Sequence, residues 1–311
     1  MLWNSVQRLF TLLAVLWGAA TLTFIALKLI PGDPVSILSG GANVVDDAFR
    51  AQLTHEFGLD QPIWLQYLHY LGHALIGDFG QSYQYREPVV NVIFAALKQT
   101  LVLAVGALVL ALGLAVLNAL ATAGRWRVLR ALFAGLELCL LSTPVYWLGI
   151  ILLSVFSFKL QLFPVMGNDG WRSLVLPIIT LSLPLAAILS QILRDGLEDA
   201  LSQPFALTVR TRGAGETRLR LRHGLRHASL AASTLTGTML ANVLSGSILT
   251  ETVFGRAGIG KITLQAIASR DMPLVLGIVM LSALLFVIIN LLVDAAYLLV
   301  DPRLRKRTSS S

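Results

Sequence analysis

A single cysteine, Cys139, in 311 residues leaves no disulfide framework and no cysteine-built zinc site within one chain. Charge is scarce as well: Asp, Glu, Lys and Arg make up 13% of the residues, where soluble domains carry about a quarter. An ordinary soluble domain is thereby excluded. Acids are the scarcer sign, 17 against 24 Lys and Arg. No His-Glu-x-x-His and no Gly-x-Ser-x-Gly turn occurs, so neither a zinc protease nor a serine-hydrolase elbow is marked. No internal repeat stands out, and low complexity is confined to Ser309, Ser310 and Ser311.

What is abundant is apolar sequence, 56% of the chain, with a mean hydropathy of +0.74. A helix that crosses a hydrocarbon layer needs about 20 apolar residues. Six runs qualify: 9–30, 101–121, 131–158, 173–193, 230–249 and 274–300. Each is expected to be a helix, because a segment in lipid must satisfy its own backbone hydrogen bonds. The first exceeds the usual signal-peptide core and reads as a retained anchor. The expected fold is an all-α membrane bundle of six transmembrane helices.

Sidedness follows from Lys and Arg in alternate connections. Arg8, the three Arg of 122–130, the seven Arg of 194–226 and the four bases of 303–307 place 15 of the 24 on one side, so both termini are expected in the cytoplasm. This distribution also accounts for the net charge of +7 without nucleic acid. The connection 31–97 carries seven acids, Asp33, Asp46, Asp47, Glu56, Asp60, Asp78 and Glu87, and falls outside. Pro31-Gly-Asp-Pro34 stops the first helix. Residues 62–75 suit a short interfacial helix, with Trp64, Tyr67 and Tyr70 expected at headgroup level.

Several motifs invite chemistry. Gly255-Arg-Ala-Gly-Ile-Gly-Lys261 satisfies seven positions of a phosphate-binding P-loop, but Ile262 stands where a magnesium-binding hydroxyl belongs, and an apolar helix precedes it where a strand should. A glycine-permitted turn at a helix end is the plainer reading. His69/His73 and His223/His227 are each four apart, yet no third ligand is spaced to complete a metal site. Glu137 and Asp294 are ionisable residues inside apolar runs, either on a pathway or paired with a neighbouring helix. Pro144 shares the run of Glu137 and permits a kink. The fifth run is rich in small and hydroxyl residues around Met239 and Asn242, suited to close packing or to a path.

The connection 194–226 is the most informative. Pro204 fits a first helical turn and Gly213 a helix stop. Between them Phe205 and Val209 form one side of a short helix along the membrane, of the kind that lies in a partner's groove. Arg218, Arg222 and Arg226 follow every four residues and can meet anionic lipid or partner acids, though on physics alone a merely solvated basic loop fits equally well.

Taken in order, these residues resemble the membrane subunits of ABC importers of the dipeptide, oligopeptide and nickel permease group. The likeness is carried by Leu29-Ile-Pro-Gly-Asp-Pro34, Gly58-Leu-Asp-Gln-Pro62, Gly77-Asp-Phe-Gly80 with Ser82, and Glu87-Pro-Val89. It continues through residues 208–230, Leu249-Thr-Glu-Thr-Val-Phe254, Gly258-Ile-Gly260, Arg270-Asp-Met-Pro273, Asn290-Leu-Leu-Val-Asp294 and Asp301-Pro-Arg303. The chain departs from the group's pattern at Leu207-Thr-Val-Arg-Thr-Arg-Gly213 and at Ala231, where a proline is common. The resemblance implies a type I ABC importer transmembrane domain with four parts: an N-terminal helix (1–30), an extracytoplasmic segment (31–97), a permease core (98–302) with a coupling loop (194–229), and a cytoplasmic tail (303–311). It implies as partners a second homologous permease subunit, two cytoplasmic ABC ATPases and an external solute-binding protein, with ATP and magnesium on the ATPases and no cofactor on this chain. It assigns ATPase coupling to Phe205, Thr208, Val209, Arg210, Thr211, Arg212, Gly213, Ala214 and Gly215. Candidates for lining the translocation path are Glu137, Pro144, Met239, Asn242 and Glu251. The cargo expected is a peptide or a nickel or metal-chelate solute, and the short 159–172 connection leans towards the latter. An ion-gradient transporter working without ATPases is the alternative.

Overall fold

The computed structural model describes residues 2–29, 51, 54–55, 60–124, 127–168, 170–229, 239, 243 and 247–300. Asn242, the motifs at 30–59, and most of the 230–249 run lie outside the described residues, as does the side chain of Asp294. The chain falls into two compact units, residues 1–98 with 261–288, and 99–260 with 289–311.

In the first unit, α1 (Leu2–Leu29) is followed by α2 (Ile63–Leu75). Pro62 precedes α2, where its fixed φ and missing N–H cost nothing. The aromatics expected at headgroup level divide. Trp64 is exposed, but Tyr67 and Tyr70 turn onto α1, both rings 5.3 Å from Phe24. The Tyr70 hydroxyl donates to the Ala20 carbonyl at 2.9 Å. Thr21 donates to the Trp17 carbonyl, so the Tyr67 hydroxyl, 2.6 Å from Thr21, is the donor to it. A buried phenol must find a partner, and an adjacent helix supplies one more firmly than water does.

Residues 77–88 form a tight turn pinned to the start of a later helix. α9 (Ile259–Ala268) ends where Arg270 takes a left-handed φ of 53°, and α10 (Met272–Val300) begins at once. The Asp271 amide reaches back to the Ala266 carbonyl (2.8 Å) and the Arg270 amide to Ile267 (3.1 Å), which satisfies the orphan carbonyls of α9. The Asp271 carboxylate, fully buried, caps α10 through the Leu274 N–H (3.2 Å) and accepts the Ser82 hydroxyl and the Gln84 N–H (3.0 Å). Ser82 and Asp271, met in sequence only as parts of two motifs, are thus one joint. Burial and then the Asp271 charge push the Tyr83 phenol up to about 12.

The second unit is built on α3 (Val89–Thr122), α4 (Arg127–Ser142), α5 (Val145–Leu152) and α6 (Arg172–Ser202). α3 also lends its first residues to the other unit. Ala104, Ala107, Ala111, Ala115 and Ala119 of α3, with Ala123 just past its end, recur every three or four residues and are wholly buried. They pack against Leu181, Leu189, Leu193 and Leu197 of α6. Small residues let backbones approach where lipid gives no hydrophobic drive between helices.

The third apolar run is not one straight crossing. At Thr143 and Pro144 the chain turns by 104° between α4 and the 145–159 stretch, whose second half, Leu153–Lys159, is π-helical. Proline removes the hydrogen bond that would carry the helix on. The fourth run is longer than expected: α6 continues nine residues past Leu193 before Gln203 and Pro204 end it. Among the described residues, α3 and α6 are long and apolar enough to cross a bilayer, and the bent pair makes a third if it is one span. Shorter apolar helices occupy Ala14–Ala26, Ile259–Ala268 and Met272–Ile288.

Candidate functional site

α7 (Pro204–Thr211) begins two residues after the end of α6, and Gly213, with φ +77°, stops it. The Gly213 amide donates to Arg210 and the Ala214 amide to Val209, the bonding that a left-handed stop requires. The proline start and glycine stop read from sequence are therefore present. α7 buries Ala206, half-buries Phe205 and Val209, and exposes Thr208, Arg210, Thr211, Arg212 and Gly215. Leu207 is 65% exposed, a large apolar side chain on an otherwise polar surface. The Phe205 ring stacks on His227 at 4.9 Å, which ties α7 to the returning helix.

That returning helix starts at α8 (Glu216–Arg218), passes through a π-helical turn (Leu219–Gly224) and continues to residue 229. Glu216 accepts from Arg210 Nε at 2.6 Å, and this bond holds its carboxyl below the usual range while raising the Arg210 guanidinium. Arg220 stands 3.8 Å from the other Glu216 oxygen, too far for a hydrogen bond, and donates to the Ala123 carbonyl at the end of α3 (2.8 Å). Exposed pairs of this kind contribute little to stability, because water and salt screen them. They set geometry more than they stabilise. Arg218, Arg222 and Arg226 are exposed.

Deeper in the unit, Glu137 on α4 is 2% exposed and Arg194 on α6 is 4% exposed. They form a two-pronged ion pair, Nη1 to Oε1 at 3.0 Å and Nη2 to Oε2 at 2.7 Å, and Asn118 of α3 donates to Oε1 at 2.8 Å. Both oxygens of the Glu137 carboxylate are thereby engaged by two neighbouring helices. By apolar runs alone Arg194 falls in the connection after the fourth run, but its position is the signal: Ser190, Arg194 and Leu197 fall on the buried stripe of α6.

Glu251 is likewise fully buried. Its carboxylate accepts the Thr100 hydroxyl (2.6 Å), the Ser247 hydroxyl (3.2 Å) and the Gly260 N–H (2.8 Å), while Thr100 also accepts the Ile259 N–H (2.8 Å). A Cβ at Gly258 would lie 2.2 Å from the Glu251 carboxyl carbon, and one at Gly260 would lie 2.3 Å from the Ile248 Cα. The glycines of the apparent P-loop therefore cradle a side chain of the same unit. Beside them Arg256, 1% exposed, donates to Gln99 (2.8 Å) and to the Ser173 hydroxyl (3.2 Å). Its role was not legible, since nothing in the sequence marks a loop arginine as interior. Pro144 sits at the bend, and Met239 is 7% exposed against the α3–α6 alanine and leucine core. No group of three or more His, Cys, Asp or Glu that could hold a metal occurs among the described residues.

Comparison with known proteins matches this architecture to transport machinery. The family described as binding-protein-dependent transport system inner membrane component matches residues 111–306, and the N-terminal component of such systems matches residues 1–104. The glutathione transport system permease protein GsiC of Salmonella choleraesuis is 34% identical over 304 residues, 96% of this chain and 98% of that protein. GsiC of Escherichia coli K12 is 34% identical over 305 residues with the same coverage. Among solved structures, an amino acid ABC transporter superposes with a TM-score of 0.50 at 13% identity, covering 67% of this chain and 94% of that one, a likeness of fold.

Proposed function

Since the chain belongs to the inner-membrane permease subunits of binding-protein-dependent ABC importers, in the dipeptide and oligopeptide group, we propose that it forms half of a path for a short peptide. Such subunits are not themselves enzymes. The relatives' glutathione, itself a small peptide, favours peptide-like cargo over the nickel or metal-chelate solute that the short 159–172 connection suggested. In this reading the chain spans the membrane six times with both termini in the cytoplasm, beside a second permease subunit. Two cytoplasmic ATPases carry ATP and magnesium, and an external binding protein delivers the cargo.

The observation that carries the reading is α7, a short surface helix that presents Leu207 and the exposed side of 208–215 directly at the end of a helix long enough to cross the membrane. ATP closes the partner ATPases, α7 moves with them, and α6 transmits the displacement. The work comes from the difference in ATP affinity between the two states, because a ligand shifts an equilibrium only by that difference. Glu137 and Glu251 spend their carboxylates inside the chain and Met239 packs in the α3–α6 core, so we assign them to the frame around the path and leave its lining to Pro144 and Asn242. The test is reconstitution in liposomes with and without the cognate ATPases and binding protein. ATP-dependent uptake of the ligand that co-purifies with the binding protein is the expected result. Uptake by this chain alone on an ion gradient would overturn it.

A further inference from the structure

The buried Arg194–Glu137 pair is held by two hydrogen bonds, and where it sits gives it a task. Arg194 lies eight residues before the last residue of α6, about 12 Å along the axis, and α7 begins two residues after that end. Glu137 is on α4 and Asn118 on α3. One carboxylate therefore binds three helices at the level from which α6 runs out to α7. The surface contacts nearer α7, Arg210 with Glu216 and Arg130 with Glu198, are partly exposed and weakly held by comparison.

We propose that Arg194 is a positioning residue of the transport cycle: through Glu137 and Asn118 it fastens α6 to α4 and α3, so that a displacement received at α7 moves the three helices as one body. The inference rests on the functional reading above. A buried pair is poor evidence for stability, because well-packed apolar residues of like size serve as well or better. What the pair supplies instead is a single geometry. A two-pronged guanidinium–carboxylate contact fixes both side chains in plane and in register, which an apolar contact does not. If α6 slid against α4, movement at α7 would be absorbed before it reached the rest of the unit.

Two measurements test this on the full importer, reconstituted with its second permease subunit, ATPases and binding protein, in a Cys139→Ser background. In the first, spin labels replace the exposed Leu132 of α4 and Asp199 of α6, and the distance between them is recorded without nucleotide and with ATP bound. One narrow distribution, the same in both states, is expected; a shift between states overturns the proposal. In the second, Glu137→Met/Arg194→Met removes both charges together and avoids a lone buried ion. The complex is expected to assemble and hydrolyse ATP as the parent does, while uptake per ATP falls about fivefold or more, the low end of typical coupling strengths. A purely structural pair predicts unchanged uptake per ATP in that variant, and this result also overturns the proposal. Should the double variant fail to assemble, the spin-label distance decides. A parent complex without ATP-stimulated uptake would overturn the functional reading itself.

Discussion

Gly258→Ala isolates the reason for the glycines in the 255–261 loop. The added methyl would lie 2.2 Å from the Glu251 carboxyl carbon and 2.4 Å from its second oxygen, so the carboxylate has to move. It is held by Thr100, Ser247 and the Gly260 amide, and loosening a buried charged acceptor costs about 1–3 kcal/mol. Gly260→Ala is worse, because the atom met at 2.3 Å is the Ile248 Cα and backbone yields less than a side-chain tip. We expect about 2 kcal/mol for Gly258→Ala and about 3 kcal/mol or more for Gly260→Ala. For a chain of this size, these correspond to apparent melting points lower by about 3 °C and about 5 °C or more. Lys261→Ala should shift the midpoint by less than about 1 °C and leave ATP-driven uptake near normal. The assay is thermal unfolding of the detergent-solubilised complex, followed by tryptophan fluorescence. Glu251→Ala supplies the internal control: once the carboxylate is gone, Gly258→Ala should cost less than about 1 kcal/mol, a non-additivity that contacting residues show. If Gly258→Ala costs the same with and without Glu251, the cradle is wrong. If Lys261→Ala removes ATP binding from the isolated chain, the loop is a nucleotide site after all.

Gly213→Asp places a β-carbon and a charge at φ +77° where α7 stops, and should abolish ATP-driven uptake while membrane insertion, followed by protease protection, stays intact. Asp271→Ala removes the α10 cap and strands the Ser82 hydroxyl and Gln84 amide, so the unfolding midpoint should fall by the equivalent of about 2–4 kcal/mol, with Ser82→Ala costing less. The Tyr83 phenol, raised from 10.0 to about 12, favours its neutral form in the fold. Its contribution is therefore complete below pH 10 and drains away as the pH climbs towards 12, and Tyr83→Phe should flatten that alkaline loss in unfolding midpoints.

Local chemistry was the legible part of this sequence. Pro62, Pro204 and Gly213 fix helix ends by their own φ, and α2 and α7 begin and stop where those residues predicted. Pro144 signalled a kink, but the size of the turn, 104°, depends on what packs against either arm and has no local signature. The buried charges were the least legible. Glu137 drew attention because an acid in an apolar run is conspicuous, whereas Arg194, at the edge of such a run, reads as the first residue of a loop. Only the partner 57 positions away distinguishes the two. Glu251 and its glycines were likewise visible as a motif and invisible as a contact, since spacing alone cannot separate a turn that holds phosphate from one that holds a neighbour's carboxylate.

The run of alanines along α3 has a bearing on how this subunit tolerates change. A seam of methyl groups cannot be trimmed further except to glycine, and it has no spare rotamers through which a larger newcomer could be accommodated. Mutational drift there is one-sided, since nearly every replacement adds bulk and pries two long rods apart. Diversification within the bundle is thereby diverted to the outward-facing flank of α3, where Val105, Val109 and Leu117 lie open.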